Sequence, residues 1–514
     1  MRLSALLDGL PQPVAPSKSE RLRFSVDPII RGIGYDSRAT SPGDLFVALR
    51  GAVSDGHDYI ERAVNAGAVA VLTEEPLSPE RLGDAVAVVV PDTRQTLAEL
   101  AQIFFGRPSE SLSLIGITGT NGKTSTSYLL ESILKAAQHR TALIGTVEIR
   151  YAGARIPAVN TTPESLDLQR TLRDMCTKNI EDVVMEVSSH GLELGRVCGC
   201  HFNVAAFTNL TQDHLDFHGS MEAYRKSKAR LFGEFLTRGG LAVVNIDDPS
   251  APAMIEAAQA SEARIIRCAR QPGHEADIWL ENASIRIEGT RARIHLDHQP
   301  LDLEIPLLGD FNLENVLIAC GIGHALGISA DEIARGIQAC PQVPGRMEVV
   351  RGQMKDCPTV LVDYAHTPDA IEKLLSAVRP LSSGRILTVF GCGGDRDRAK
   401  RPLMAEAVAR QTDLAIATSD NPRRESPEQI LRDVEQGLQS LKRSEPESLP
   451  SAGAYTTLID RREAIQCAID QASPEDTVVI AGKGHEDYQI IGTQKLPFDD
   501  RLEASRALDR GAQN

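Results

Sequence analysis

At 514 residues, 42% of them hydrophobic, the chain is long enough for about three globular domains of ~100–200 residues each. Its formal charge of −15 argues against nucleic acid or an anionic membrane as the main partner, so any anionic ligand must be met by local basic residues. No run approaches the ~18 consecutive apolar residues of a membrane span, and the apolar stretch near Met1 is too short for a signal peptide. The nine cysteines are scattered without a C-x-x-C pair, and Cys198-Gly199-Cys200-His201 has no second ligand pair nearby. Free thiols in a reducing cytoplasm are therefore expected.

In chain order, residues 1–107 read as a small α/β unit with strands at 44–49 and 68–72, closed by a linker at 105–109. An apolar strand at 112–117 then runs into Gly119-Thr120-Asn121-Gly122-Lys123-Thr124. A helix follows, in which Leu129, Leu130, Ile133, Leu134 and Ala137 recur at helical spacing. A glycine-rich turn between strand and helix lets backbone N–H groups close around phosphate oxygens, and the helix N-terminus adds a favourable dipole. Lys123 can neutralise β/γ-phosphates and Thr124 can ligate Mg²⁺. The fit to G-x-x-x-x-G-K-[ST] is inexact, because five residues separate Gly116 from Gly122. The alternative is a helix-capping turn, against which the flanking strand and helix argue. ATP or a similar nucleotide is the expected ligand.

Apolar strands at 183–187, 204–207 and 241–245 alternate with helices, which predicts a mostly parallel sheet covered on both faces. Residues 276–306 interrupt that rhythm with short alternating strands, an antiparallel insertion. A boundary falls at 340–345. Beyond it, strands at 359–362, 385–390, 414–417 and 477–481 predict a doubly wound α/β domain. The expected architecture is three α/β domains over 1–107, 108–343 and 344–514: a small N-terminal domain, a central P-loop domain and a C-terminal Rossmann-like domain. Active sites of such sheets lie at the carboxyl ends of strands.

Two segments there carry chemistry. Glu186 ends a buried strand, where it could face Mg²⁺ bound by Thr124; its alternative is a carboxylate bonded to Ser188, Ser189 and His190. His214 and His218 stand four apart after the strand at 204–207. Zinc is the alternative for this pair, but no H-E-x-x-H pattern or cysteine set accompanies it. Histidine and carboxylate ligands around Mg²⁺ or Mn²⁺ fit better.

Gly-Thr-Asn-Gly-Lys-Thr (119–124), Glu-Val-Ser-Ser-His-Gly-Leu (186–192), Asp-His-Leu-Asp-Phe-His-Gly (213–219) and Gly-Asp-Phe-Asn-Leu-Glu-Asn (309–315) together resemble the Mur ligase family. These enzymes add amino acids to UDP-N-acetylmuramoyl peptide precursors of the bacterial cell wall. Asp36-Ser37-Arg38 and the segment 42–46 resemble the UDP-binding domain of the member that adds the third amino acid. The likeness continues through 363–368, 391–396, 420–423 and 482–486, so it covers nearly the whole chain.

The resemblance implies roles. Residues Gly119, Thr120, Asn121, Gly122, Lys123 and Thr124 would hold ATP, joined by Asn315, Arg346 and Asp363. Thr124, Glu186, His214 and a carbamylated Lys228 would hold Mg²⁺, and Lys123, Glu186, His214 and Lys228 would form the catalytic set. By its residues alone Lys228 would be a surface lysine, with Lys226 a competitor for the modification. Tyr35, Ser37, Asn160, Thr161, Thr162, Ser188, Leu194 and Arg196 match positions for UDP-N-acetylmuramoyl dipeptide; the family often has Gln where this chain has Leu194, so one polar contact is in doubt. Arg396, Asp420, Asn421, Pro422, Arg423, Gly482 and Glu486 match positions for meso-diaminopimelate, with a solvated Arg423–Glu425 pair as the alternative for the arginine.

The expected reaction is ATP-dependent ligation of meso-2,6-diaminopimelate to UDP-N-acetylmuramoyl-L-alanyl-D-glutamate by a cytoplasmic monomer, without nucleic acid or membrane insertion. The rivals are a lysine-adding ligase, folylpolyglutamate synthetase and a catalytically silent nucleotide-binding protein.

Overall fold

The computed structural model describes residues 1–11, 27–51, 54–271, 275–352 and 357–510. By packing they form two units: Met1–Cys268 with Glu275–Asp277 and Ile318–Ile328, and Ala269–His274 with Ile278–Leu317 and Ser329–Asn514.

The first unit holds two sheets. Its N-terminal sheet is parallel, with Gly32–Gly34, Asp44–Val47, Ala70–Thr73 and Val86–Val89 in that spatial order. Successive side chains of a strand point to opposite faces. Leu45 and Val47 accordingly join Leu3, Leu6, Leu97 and Leu100 on one side, while Phe46 packs with Ile60, Ala63 and Val71 on the other. The helix Thr93–Phe104 is capped by Asp92, whose side chain accepts from the N–H groups of Arg94 and Gln95.

The second sheet of this unit runs Arg264–Ala269, Leu236–Asn245, Phe202–Phe207, Ser113–Thr118, Asp182–Glu186 and Thr141–Ile144, all parallel. An antiparallel hairpin, Glu148–Tyr151 and Ala154–Pro157, follows at its edge. The phosphate-loop strand Ser113–Thr118 thus lies between Phe202–Phe207 and Asp182–Glu186. Their carboxyl ends bring Thr208, Thr118 and Glu186 to one edge of the sheet.

In the second unit, Ile278–Arg286, Gly289–Leu296 and Gln299–Ile305 form the expected antiparallel insertion. The larger sheet runs Glu348–Val350, Thr359–Asp363, Thr477–Ala481, Ile386–Cys392, Leu414–Ser419, Ala454–Leu458 and Lys442–Arg443; only the first of these is antiparallel to its neighbour. Both faces are covered. Leu361, Phe390, Ala417 and Val479 pack with Ile371, Leu375, Met404 and Val408, and Val362, Val389, Ile416 and Ile480 with Ala464, Ile465, Ala468 and Leu508. This is the doubly wound arrangement, and its strands end next to Asp363, Cys392, Ser419 and Ala481.

Candidate active site

In the first unit the chain turns out of Ser113–Thr118 through Gly119–Gly122 and enters the helix Lys123–Ala136. Gly122, at φ 86°, occupies the left-handed region at the helix start, where a side chain would be strained. The loop is braced from the next strand end. Thr208 Oγ1 donates to Asn121 O at 2.6 Å, Thr120 N to Asn209 O at 2.8 Å, and Asn121 N to Asn209 Oδ1 at 2.9 Å. Lys123 Nζ folds back onto the carbonyls of Gly119 and Thr120, at 2.8 and 2.9 Å.

Glu186 is fully buried beside this loop. Its Oε2 accepts from Thr124 Oγ1 at 3.1 Å and Thr146 Oγ1 at 2.8 Å, and its Oε1 from Thr146 N at 3.0 Å. Ser188, Ser189 and His190 are therefore not its partners. These three donors to the buried carboxylate are neutral, an arrangement suited to a hard divalent cation with oxygen ligands. His214 contributes an imidazole at the sheet edge, set edge-on to His190 with ring centroids 4.7 Å apart. Burial is the main cause holding His214 at a pKa of about 4, so it is neutral and free to offer a lone pair at pH 7. His218 instead lies 2.9 Å from Ser189 Oγ. Among the described residues, no three of His, Cys, Asp and Glu converge as a metal set.

Lys228 is buried, 1% exposed, on the helix Met221–Arg230. Its Nζ donates to Gly119 O at 2.8 Å and lies 4.5 Å from the centre of the Tyr224 ring. Burial, reinforced by Lys123, drives its pKa well below that of an ordinary lysine. The surface-lysine reading fits Lys226 instead, which is exposed and paired with Glu222.

The residues expected at the UDP-muramoyl dipeptide divide into groups. Thr161 Oγ1 is 3.0 Å from Thr146 Oγ1. Thr162 Oγ1 donates to Glu186 O at 3.0 Å and lies 3.1 Å from Ser188 Oγ, while Arg196 Nη1 donates to Thr162 O at 3.0 Å. These four are drawn together around the end of the Glu186 strand. Asn160 is exposed just before them, and half-buried Leu194 ends the short helix Ser189–Glu193 without a polar side chain. Tyr35 and buried Ser37 follow the first strand of the N-terminal sheet, with Tyr35 Oη donating to Asp167 at 2.5 Å.

In the second unit, Asp363 is buried with both oxygens held by backbone amides, Met347 N and Ala365 N, each at 2.7 Å. Burial raises its pKa, and Arg346, whose guanidinium lies 4.8 Å from the centre of the Tyr364 ring, opposes that rise. Asn315 is buried near the start of the helix Asn312–Ala325 and donates to Asn312 Oδ1 at 2.8 Å.

The loops after Leu414–Ser419 and Thr477–Ala481 meet. Asn421 Nδ2 donates to Glu486 Oε2 at 2.9 Å, and its Oδ1 accepts from Ile490 N at 2.9 Å and Lys483 Nζ at 3.3 Å. Asn421 thus organises the loop with an amide already engaged at both ends. Fully buried Lys483 also reaches Glu486 Oε2 at 2.8 Å and lies 3.6 Å from Asp420 Oδ1. Gly482 N donates to Asp363 O at 3.1 Å, and Pro422 is buried. Arg423, at φ 51°, pairs by backbone with the hairpin strand Tyr488–Ile491: its N donates to Ile490 O and its O accepts from Gly492 N. Its guanidinium donates to Gly394 O at 2.8 Å. Glu425 is bound to Arg401 rather than to Arg423, against the solvated-pair alternative. Arg396 is exposed on the neighbouring loop.

Sequence reasoning missed Thr146, Asn209, Lys483 and Arg401. Lys483 lay inside a motif singled out for its neighbours, and Asn209 at the head of the segment that carries His214 and His218, whereas Thr146 and Arg401 carried no local signal.

Residues 29–105, 117–323 and 345–484 match, in that order, the catalytic domain of the Mur ligase family, the Mur ligase middle domain and the Mur ligase glutamate ligase domain. A protein of Geobacillus thermodenitrificans (strain NG80-2) named UDP-N-acetylmuramoyl-L-alanyl-D-glutamate--2,6-diaminopimelate ligase is 45% identical over 488 residues, covering 94% of this chain and 95% of its own length. A protein of the same name from Geobacter metallireducens is 45% identical over 490 residues, 93% of this chain and 94% of its own. A solved structure of an enzyme with that name superposes with a TM-score of 0.66 at 36% identity, covering 94% of this chain and 96% of that one. MurF ligase from Thermotoga maritima in complex with ADP shares the fold, with a TM-score of 0.64 at 17% identity over 94% of this chain and 98% of its own. With its three α/β domains in this order, the chain belongs to the Mur ligase family.

Proposed function

We propose that this ligase joins meso-2,6-diaminopimelate to UDP-N-acetylmuramoyl-L-alanyl-D-glutamate, at the expense of ATP, in bacterial peptidoglycan precursor synthesis. The domains serving UDP-muramoyl dipeptide, ATP and amino acid are assigned to 1–107, 108–343 and 344–514. The observation that carries the substrate assignment is the position of Arg423, held by Gly394 O and by the hairpin backbone while Glu425 is engaged elsewhere. An arginine so placed can meet the distal carboxylate that distinguishes diaminopimelate from lysine.

In the reaction, a carboxylate oxygen of the dipeptide attacks the γ-phosphorus, and the bond to ADP breaks. The amine of diaminopimelate then attacks the acyl phosphate carbon; the amide forms, phosphate departs, and the amine proton is released. The loop amides and Lys123 steady the phosphate charge. Thr161, Thr162, Ser188 and Arg196 orient the dipeptide, with Tyr35, Ser37, Asn160 and Leu194 along its length. Asn315, Arg346 and Asp363 hold the nucleotide. Asp420 and Glu486 receive an ammonium group, while Arg396 and Arg423 receive carboxylates. Lys228, whose buried amine is disposed to be neutral, adds CO₂ to give a carbamate and one proton. Mg²⁺ held by Thr124, Glu186, His214 and that carbamate would supply charge neutralisation at the phosphates. Most of the rate enhancement then comes from positioning.

The same reading makes the enzyme a cytoplasmic monomer acting on small molecules rather than nucleic acid or membrane, and its acidic composition supports the exclusion of nucleic acid; among the described residues no helix is long and apolar enough to cross a membrane. The test is ADP release with the dipeptide substrate and either meso-diaminopimelate or L-lysine. Strong dependence on diaminopimelate is expected; a preference for lysine overturns the assignment.

A further inference from the structure

Arg401 lies on the helix Lys400–Ala409, 1% exposed. Its Nη2 donates to Glu425 Oε1 at 2.8 Å and to Gly393 O at 3.3 Å, and its Nη1 to Asp433 Oδ2 at 2.8 Å. These partners belong to three segments: the loop after Ile386–Cys392, the loop after Leu414–Ser419, and the helix Pro427–Glu435. The first loop carries Arg396 and the second carries Arg423.

The two loops are joined at close range. Glu425 Oε1 accepts Asp395 N at 2.6 Å as well as Arg401, Gly394 N donates to Asn421 O at 2.9 Å, and Arg423 donates to Gly394 O. A Cβ at Gly394 would lie 1.9 Å from Pro422 O, so only glycine permits this approach. Among the described residues, the hydrogen bonds of Arg401 reach neither arginine side chain. Its effect on them passes through Gly393 O and through Glu425 to the backbone of Asp395.

We propose that Arg401 is a positioning residue for amino-acid selection: its buried fork, closed on Glu425 and Gly393, sets the spacing between Arg396 and Arg423. The proposal rests on the reading that these two arginines meet the carboxylates of diaminopimelate. A lysine cannot replace the fork, because a single ammonium cannot present two nitrogens in the fixed planar geometry that spans Glu425 and Asp433. Misplacing a binding group by about 1 Å can cost on the order of a hundredfold in rate. The loss should fall on the substrate with two carboxylates to place.

The experiment compares wild type, Arg401→Lys and Glu425→Gln as full-length enzymes, with kinetics for each of the three substrates and with L-lysine in place of diaminopimelate. For both variants, KM for diaminopimelate should rise tenfold or more while KM for ATP and for the dipeptide stays within twofold. The ratio of kcat/KM for diaminopimelate over lysine should fall at least tenfold. Unchanged kinetics, or a uniform drop in kcat with every KM and the selectivity ratio intact, overturns the proposal and leaves Arg401 a structural residue. Should Arg401→Lys fail to fold, the isosteric Glu425→Gln, which removes the charge from the partly exposed end of the fork, decides by the same criteria. Failure of the underlying reading shows separately, as a wild-type preference for lysine.

Discussion

Two lysines converge on one carbonyl: Lys123 and Lys228 each place Nζ 2.8 Å from Gly119 O. Such crowding of like charge, with burial, favours the neutral amine at the more buried site, and Lys228 is that site. An uncharged amine is the form that adds CO₂, so Lys228→Ala should reduce ligation to near background, and short-chain carboxylic acids should restore part of it. Lys226→Ala, at an exposed position paired with Glu222, should stay close to wild type. Activity assays in buffers with and without CO₂ check this; full activity of Lys228→Ala would remove the carbamate from the mechanism. Arg423 poses the complementary question on the other unit. On the proposed reading that it faces a substrate carboxylate, Arg423→Ala should lower kcat/KM for diaminopimelate at least a hundredfold, about 2.8 kcal/mol at ~1.4 kcal/mol per tenfold. Use of lysine should change far less. Equal losses for both amino acids would place Arg423 outside the selective contact.

Among the elements, the phosphate-loop strand and helix were legible because an apolar run and helical spacing are local signals, and each element is buried as its pattern requires. The Asp420–Arg423 and Gly482–Glu486 loops were legible as candidate sites because they follow buried strands. Lys483 was not, since its surroundings come from Asp420 and Asn421, which lie more than sixty positions away in sequence. The hairpin Glu148–Tyr151 and Ala154–Pro157 was hidden for another reason: its second strand is exposed throughout and lacks an apolar face. Charge holds it instead. Arg150 Nη1 donates to Glu148 at 2.7 Å, its Nε to Glu131 at 3.0 Å, and its guanidinium lies 4.1 Å from the centre of the Tyr128 ring on the phosphate-loop helix. The side chains of Glu131 and Glu148 are only 4% and 11% exposed, so Arg150→Met would take their shared cation away, leaving Glu131 with Lys135 at 2.8 Å and Glu148 with Tyr128 Oη at 3.2 Å and Arg155 at 3.8 Å. Breaking a buried pair from one side costs about 3–5 kcal/mol. With those partners kept, denaturant unfolding should show a loss toward the lower end of that range in the first unit, and a loss under ~1 kcal/mol would mean that Lys135, Tyr128 and Arg155 hold the two carboxylates without the arginine.

At the scale of the molecule, an acidic chain binds anionic substrates by keeping its cations local, and several groups consequently titrate far from their usual range. His485 illustrates the consequence for stability. It neighbours Tyr364, with ring centroids 5.0 Å apart, and its Nδ1 is buried without a hydrogen-bond partner among the described residues. Burial, then Arg346 and Arg501, bring its pKa down to about 3 from an ordinary 6.5. In the folded protein it is therefore neutral from pH 7 down to pH 4, whereas in the unfolded chain it takes up a proton near pH 6.5. Between those values the unfolded state binds more protons, so stability falls as pH falls. The contribution is fully present above about pH 6.5 and is lost progressively toward pH 3. His214, held at about 4, acts in the same direction over a narrower window. Carboxylates with lowered pKa, such as Asp433 and Asp476, begin to lose their contribution only near and below the unfolded value of 3.8, so they add little between pH 7 and 5, and comparison with a His485 variant separates this histidine from the other groups. Over that interval His485 should account for about 2 kcal/mol, since 1.36 kcal/mol attaches to each pH unit of unequal protonation. His485→Phe keeps an aromatic ring against Tyr364 and removes the titration. Unfolding free energies at pH 7, 6 and 5 should then decline by about 2 kcal/mol less in the variant than in wild type. Parallel slopes for the two proteins would show that the imidazole is protonated in the native state well above pH 5, and that its buried position does not hold it neutral.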